Sequence, residues 1–324
     1  MVVGPSLHGI LINLFKNPVT NVVNHEIGYL FSASILTLIA IIPFSITMFK
    51  VKENESKNNH SKIRNNFSFL KGIKIMLTNK SFLCIMLIYL CTMLTLQFVQ
   101  NNLLLFSKYV VNMEDYFSYF LLCFLIVSAI SLPIWATLAK KYDKKLIYII
   151  GAILLVITLS CFFFVPQSNR EKEEKLDVNI IYMLLISFFA GIGFGVMFFI
   201  PHSLFPEVIE IDELETGERR EGMYYSFFVF FQKLGLALSL AMSNYILSLT
   251  GFISSNNENP VVIQPYSAKL ALRIMVSFAP VVVLLISFIP LYFFPINKRL
   301  HEENLKLLRE KKENFVDLSI EERN

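Results

Sequence analysis

Ile180-Ile-Tyr-Met-Leu-Leu-Ile-Ser-Phe-Phe-Ala-Gly-Ile-Gly-Phe-Gly-Val-Met-Phe-Phe-Ile-Pro-His-Ser-Leu-Phe205 contains no Asp, Glu, Lys or Arg. A helix of about 20 apolar residues is what crosses about 30 Å of hydrocarbon. Similarly apolar runs, each with at most one charged residue, recur at 28–49, 82–106, 116–138, 146–165, 223–249 and 270–294, and a shorter one opens the chain at Val2–Phe15. The pattern predicts an all-α, polytopic membrane protein with eight crossings, the first visibly short. Hydrophobic residues make up 55% of the 324 and charged residues 17%, with a mean hydropathy of +0.57, against about 25% charged in soluble chains. A water-soluble fold would need a charged shell, so the bilayer is the solvent in which this chain has to be read.

The net charge of +4 is too small to suggest a nucleic-acid partner, and the Lys and Arg residues sit in loops without interleaved aromatics. Their distribution is the useful signal, since basic loops stay on the cytoplasmic side. One set of alternate loops holds Lys50 to Lys80, then Lys140, Lys141, Lys144 and Lys145, then Arg219 and Arg220, then the tail from Lys298 to Arg323. The other set holds little beyond Lys16, Lys108, Arg170, Lys172, Lys175, Lys269 and Arg273. This asymmetry predicts a cytoplasmic C-terminus, and the plasma membrane is the expected location. Cys84, Cys91, Cys123 and Cys161 all fall inside apolar runs without metal-site or redox spacing, and read as small packing residues.

Polar residues inside the crossings carry the functional information. Lys233 lies ten residues into the run from Met223, about 15 Å deep. A cation there costs roughly 2.5 to 3.5 kcal/mol on insertion scales, so it should face a wet cavity or a carboxylate. The bland alternative is a lysine that snorkels to the surface, but its stem of about 6 Å is short for that depth. Ser226, Lys233 and Asn244 return to nearly one azimuth at helical periodicity and form a polar stripe. Gln97, Gln100, Asn101 and Asn102 form a second polar cluster, in which amides at helical spacing suit either a polar solute group or a neighbouring helix. Gly191 and Gly195 read as a small-xxx-small contact between helices, with a gate hinge as the secondary reading; no strand precedes them, so a dinucleotide loop is excluded. Pro201 and Pro206 are expected to loosen the same helix at its inner end.

Beyond it, carboxylates including Glu207 and Glu210 precede Arg219 and Arg220. In isolation the segment reads as a solvated loop. In a carrier, the same charges could pair across two halves and break as the protein rocks between states. No nucleophile stands beside a base, no metal-ligand spacing occurs and no phosphate loop is present, so an enzyme and a bound cofactor are both unexpected.

Three segments carry a family resemblance: Pro206-Glu-Val-Ile-Glu-Ile-Asp-Glu-Leu214, Thr216-Gly-Glu-Arg-Arg-Glu-Gly-Met-Tyr-Tyr-Ser226 and Phe230-Phe-Gln-Lys-Leu-Gly235. The loop Lys140-Lys-Tyr-Asp-Lys-Lys145 after Pro133-Ile-Trp135 adds to them, although Asp143 stands where a Gly is usual. With these the chain resembles the glycoside-pentoside-hexuronide cation symporters of the major facilitator superfamily, whose branches include melibiose permease and the sodium-dependent lysophosphatidylcholine symporters. The resemblance implies helices five to twelve of that fold. Residues 1–50 would be the last two helices of the N-terminal half, 51–80 a cytoplasmic linker, 81–296 the six-helix C-terminal half and 297–324 a cytoplasmic tail. It implies that Lys233 couples cation and solute occupancy, that Arg219 matches a basic position of the inner loop, and that Phe198 stands where sugar-binding members stack a Trp on the sugar ring. A Phe keeps an aromatic face but loses the indole donor, and the aromatic content of these spans favours the lysolipid branch.

The family's first four helices, which supply the acidic residues of its cation site, have no counterpart here, so the expectation is a fragment of a full carrier. The function implied is symport of a lysophospholipid or sugar-type solute with Na+ or H+ by alternating access, in a carrier that is monomeric when full length. The competing expectation is a truncated, non-transporting membrane protein that binds or modulates an intact carrier.

Overall fold

In the computed structural model, residues 25–50, 77–166, 178–216, 220–254 and 263–295 are described, with a few of the tail between 300 and 307. Among these, seven helices are long and apolar enough to cross a membrane. They begin with α1 (His25–Lys50), α2 (Lys80–Phe106), α3 (Phe117–Lys141), α4 (Lys144–Phe163), α5 (Val178–Thr216) and α6 (Glu221–Leu249). The seventh crossing is broken into α7 (Tyr266–Val276), α8 (Phe278–Ile286) and α9 (Phe288–Phe293). The opening run Val2–Phe15 and most of the linker lie outside the described residues.

Hydrocarbon offers no hydrogen bonds, so every backbone and hydroxyl group has to be satisfied inside the protein. On α1 the hydroxyls of Ser34, Thr37, Ser45 and Thr47 each donate to the carbonyl one turn earlier. These four hydroxyls therefore need no neighbouring helix, and apolar side chains of α1 such as Leu38, Ile42 and Phe44 are exposed. The six crossings from α2 onward form a bundle. α2 packs along α6 and against α5 and the broken last crossing, while α5 lies between α3 and α4. One core cluster gathers Phe82, Tyr89, Tyr148, Phe205 and Phe228; a second, further along the helices, gathers Phe98, Phe106, Phe162 and Met275. The end of the bundle that carries Lys140 to Lys145 is called the basic end below.

Two departures from the sequence expectation concern α5 and the last crossing. α5 does not stop at Phe205: it runs through Pro201 and Pro206 to Thr216, and so turns the acidic segment expected as a loop into helix. Each proline removes one rung of the backbone ladder, but Leu204, Phe205, Val208 and Ile209 are buried around them and hold the chain on course. The last crossing breaks at Ser277 and Ser287, close to Pro280 and Pro290. Polar partners meet those breaks. Thr95 donates to the Pro280 carbonyl at 3.3 Å, and Tyr148 lies 2.9 Å from both the Ser287 and Thr92 hydroxyls, so α2, α4 and the last crossing are joined by a buried polar node.

The close approach of α5 to α3 depends on two glycines. A Cβ at Gly191 would stand 2.7 Å from the Phe124 carbonyl oxygen, and one at Gly195 would stand 2.2 Å from Ser131 Oγ. The Trp135 indole of α3 donates to the Ile192 carbonyl at 3.1 Å across the same contact. Because the atom facing Gly191 is backbone, a side chain there cannot be accommodated by a rotamer change. Gly191→Val is expected to lower the melting temperature in detergent by the equivalent of about 1 to 3 kcal/mol. Gly222→Ala, where nothing lies within 4 Å, should leave it unchanged.

Candidate functional site

The stripe on α6 is present as the spacing demands. Ser226, Lys233 and Asn244 are all exposed on one side of the helix, whereas Tyr224, Phe228, Gly235, Ser239 and Ser243 are buried. A Cβ at Gly235 would touch Met93 at 3.2 Å, which fixes that buried side against α2. Lys233 is thereby directed away from α2 and, among the described residues, makes no hydrogen bond or ion pair. The Ser226 hydroxyl donates back to the Gly222 carbonyl at 2.7 Å.

The amide cluster on α2 divides. Asn101 donates to Ser239 Oγ at 2.9 Å, and Asn102 donates to Ser243 Oγ at 2.8 Å as well as to the Phe98 carbonyl at 2.7 Å. Both therefore join α2 to α6, the helix-joining alternative for such amides. Gln97 is half-buried, while Gln100 is exposed and stands in the wall of an apolar cleft. The cleft holds about 860 Å3 of empty space, open mouth included, between α2, α3, α4 and α5. Its walls include Leu103, Phe120, Phe124, Leu159 and Phe194.

An aromatic track runs from that cleft along α5 toward the basic end. Phe194 is stacked with Phe198 at 6.0 Å between ring centroids, and Phe198 lies 4.4 Å from His202. Phe198 is itself exposed. The track then meets Phe228 of α6, 5.0 Å from His202 and 4.5 Å from Phe205.

At the basic end, charges pair within this bundle among the described residues. Lys144, at the start of α4, bonds Glu207 of α5 and donates to the Ser203 carbonyl at 2.9 Å. Arg220 meets Asp212 at 3.1 Å, with side-chain exposures of 9% and 3%. The long α5 brings its last carboxylates back against α4 and the start of α6, which gives Glu207 and Arg220 partners within this bundle. Glu210 is half-buried on the same helix end, and Arg219 lies outside the described residues. Lys145 adds a bond to the Phe294 carbonyl and so ties α4 to the end of α9.

Sequence reasoning gave no role to Lys144, Asp212, His202 or Tyr89. His202 was detectable in principle, because an imidazole inside an apolar crossing is itself a polar exception. The Asp212–Arg220 pair was not, since it depends on α5 continuing past two prolines.

An all-helical bundle with a polar stripe, an apolar cleft and a charged end is the construction of a polytopic membrane protein of the major facilitator superfamily. The chain belongs to the MFS/sugar transport protein family, whose model matches residues 2–298. It is 33% identical over 253 residues to an uncharacterized symporter of Synechocystis, an alignment covering 78% of this chain and 45% of that one. It is 26% identical to the sodium-dependent lysophosphatidylcholine symporter 1-A of Danio rerio, with 90% of this chain and 52% of that one covered. The corresponding Homo sapiens symporter is 24% identical, with 87% and 49% covered. The chain thus spans about half the length of the curated relatives it matches.

The Arg220–Asp212 pair gives a direct test of the charged end. Removing one partner breaks an ion pair held in a buried setting, so Asp212→Ala should destabilise the protein by about 3 to 5 kcal/mol, while joint replacement by Arg220→Met and Asp212→Leu should recover most of that loss. Thermal unfolding in detergent measures both.

Proposed function

We propose that this chain works as the later part of a cation-coupled symporter that carries a lysophospholipid across the plasma membrane by alternating access, with its basic end and C-terminus on the cytoplasmic side. The observation that carries the reading is Lys233, an unpaired ammonium among the described residues on the exposed side of a membrane-crossing helix. Such a charge is tolerable only where it meets water or an acidic group. On this reading Lys233 alternates between carboxylates of the coupling-ion site and the polar end of the solute, so that the occupancy of one alters the affinity for the other. Ser226 and Asn244 extend the same polar face, and Gln97 and Gln100 supply amides from α2. Gly191 and Gly195 let α3 and α5 move as a close-packed pair.

A lipid is favoured over a sugar by the cleft. Its walls are overwhelmingly apolar, as suits an acyl chain, and it has few of the hydrogen-bonding groups that a sugar needs on several sides. The names of the Danio rerio and Homo sapiens relatives support the same choice of solute and sodium as the coupling ion. The carrier acts as a monomer and uses no organic cofactor.

In cells expressing the carrier, sodium-driven uptake of a radiolabelled lysophosphatidylcholine is expected to fall at least about tenfold in Lys233→Ala, with the amount of protein in the membrane unchanged. Uptake by that variant at the original rate and with the original sodium dependence would remove Lys233 from the mechanism.

A further inference from the structure

His202 sits on α5 within the membrane-crossing segment Val178–Leu214. Its Nδ1 lies 2.7 Å from the Phe198 carbonyl oxygen. A carbonyl only accepts, so Nδ1 carries the proton of the neutral ring and Nε2 is left as the titratable nitrogen. Among the described residues Nε2 has no hydrogen-bond partner. The ring is walled by Phe198 of its own helix, Phe228 of α6 and Tyr89 of α2, with centroids 4.4, 5.0 and 5.4 Å away.

Tyr89 is the second observation. It is fully buried and stacked on Phe228 at 3.8 Å, and its hydroxyl has no hydrogen-bond partner among the described residues. A buried hydroxyl left without a partner is costly, and such exceptions call for a ligand or a functional reason. Two side chains whose polar groups lack a hydrogen-bond partner among the described residues, from α2 and α5, thus share one aromatic cluster with their ring centroids 5.4 Å apart.

Their position relative to the cleft decides what they suit. Phe194 lines the cleft, and His202 lies eight residues further along the same helix, about 12 Å. A single-tailed lipid with its chain in the cleft would bring its polar end down the Phe194–Phe198–His202 track. The Tyr89 hydroxyl offers a donor, and Nε2 becomes a second donor once protonated. No carboxylate pairs with His202. The charged groups nearest on its own helix are Glu207 and Glu210, toward the basic end, with Glu207 bonded to Lys144 of α4; α2 presents Tyr89 and α6 presents the uncharged Phe228.

We propose that His202 Nε2 and the Tyr89 hydroxyl form a donor pair for an anionic phosphoryl oxygen of the solute, with His202 binding in its protonated state. This rests on the lysophospholipid reading and adds a pH-dependent contact to it. Because the donor at Nε2 exists only when the ring is charged, affinity for a phosphate-bearing lipid should rise as pH falls through the histidine range.

The test is equilibrium binding of radiolabelled lysophosphatidylcholine, and separately of a monoacylglycerol of equal chain length, to the purified full chain in nanodiscs between about pH 5 and 8. Variants are His202→Gln and Tyr89→Phe, each first matched to the parent in melting temperature and Trp135 emission. The expected result is roughly tenfold tighter lysophosphatidylcholine binding by the parent at the acidic end. His202→Gln should show a flat profile, and Tyr89→Phe weaker binding at every pH with the slope kept. Monoacylglycerol binding should not depend on pH. A parent-like slope in His202→Gln, or an equal slope for monoacylglycerol, would overturn the proposal and leave the lipid reading standing. Absence of lysophosphatidylcholine binding at every pH would overturn both.

Discussion

An ammonium group on a helix that crosses hydrocarbon has to be met by water or by a carboxylate, and the rest of this bundle is arranged around that demand. α6 turns its small and aromatic residues Gly235, Ser239, Ser243 and Phe228 toward α2, and so leaves Ser226, Lys233 and Asn244 on the open side. Asn101 and Asn102 hold that orientation by bonding Ser239 and Ser243. The amides on α2 therefore fix the rotation of α6 about its own axis, and with it the direction in which Lys233 points.

The same logic separates rigid parts from adaptable ones. Several polar groups in the bundle interior are spent on each other: Tyr148 with Thr92 and Ser287, Asp212 with Arg220, Lys144 with Glu207. Those contacts tie α4, α5, α6 and the broken last crossing together. Left outside this satisfied set are Lys233, the exposed Gln100, and the His202 and Tyr89 pair. Lys233 lies on the stripe and Gln100 in the cleft wall, while Tyr89 is buried in the core beside the half-buried His202.

Much of this was legible in the chain itself, for physical reasons that differ from residue to residue. Crossing helices announce themselves because a bilayer demands long uncharged runs, and the exposure of Ser226, Lys233 and Asn244 together followed from helical periodicity alone. The Gly191 and Gly195 spacing correctly signalled a close helix contact, although only the structure identifies α3 as the partner. Where the chain misled was at Pro201 and Pro206. Their local preference argues for an end to the helix, but burial on both sides overrides it, and the acidic segment becomes α5's last turns. The pairing of Glu207 with Lys144 and of Asp212 with Arg220 follows from that extension and could not be read without it. The breaks at Ser277 and Ser287 were hidden for the opposite reason, since the run around them is apolar enough to pass for one straight helix.

The open side of α6 has to meet water if Lys233 is to stay charged within the bilayer. With Cys84, Cys91, Cys123 and Cys161 replaced by Ser, Lys233→Cys can be exposed to a membrane-impermeant, charged thiol reagent in the intact carrier. Rapid labelling that slows when lysophosphatidylcholine is added is the result expected of a hydrated passage shared with the solute. A thiol that stays unreactive both with and without solute, and from both sides of the membrane, would contradict it.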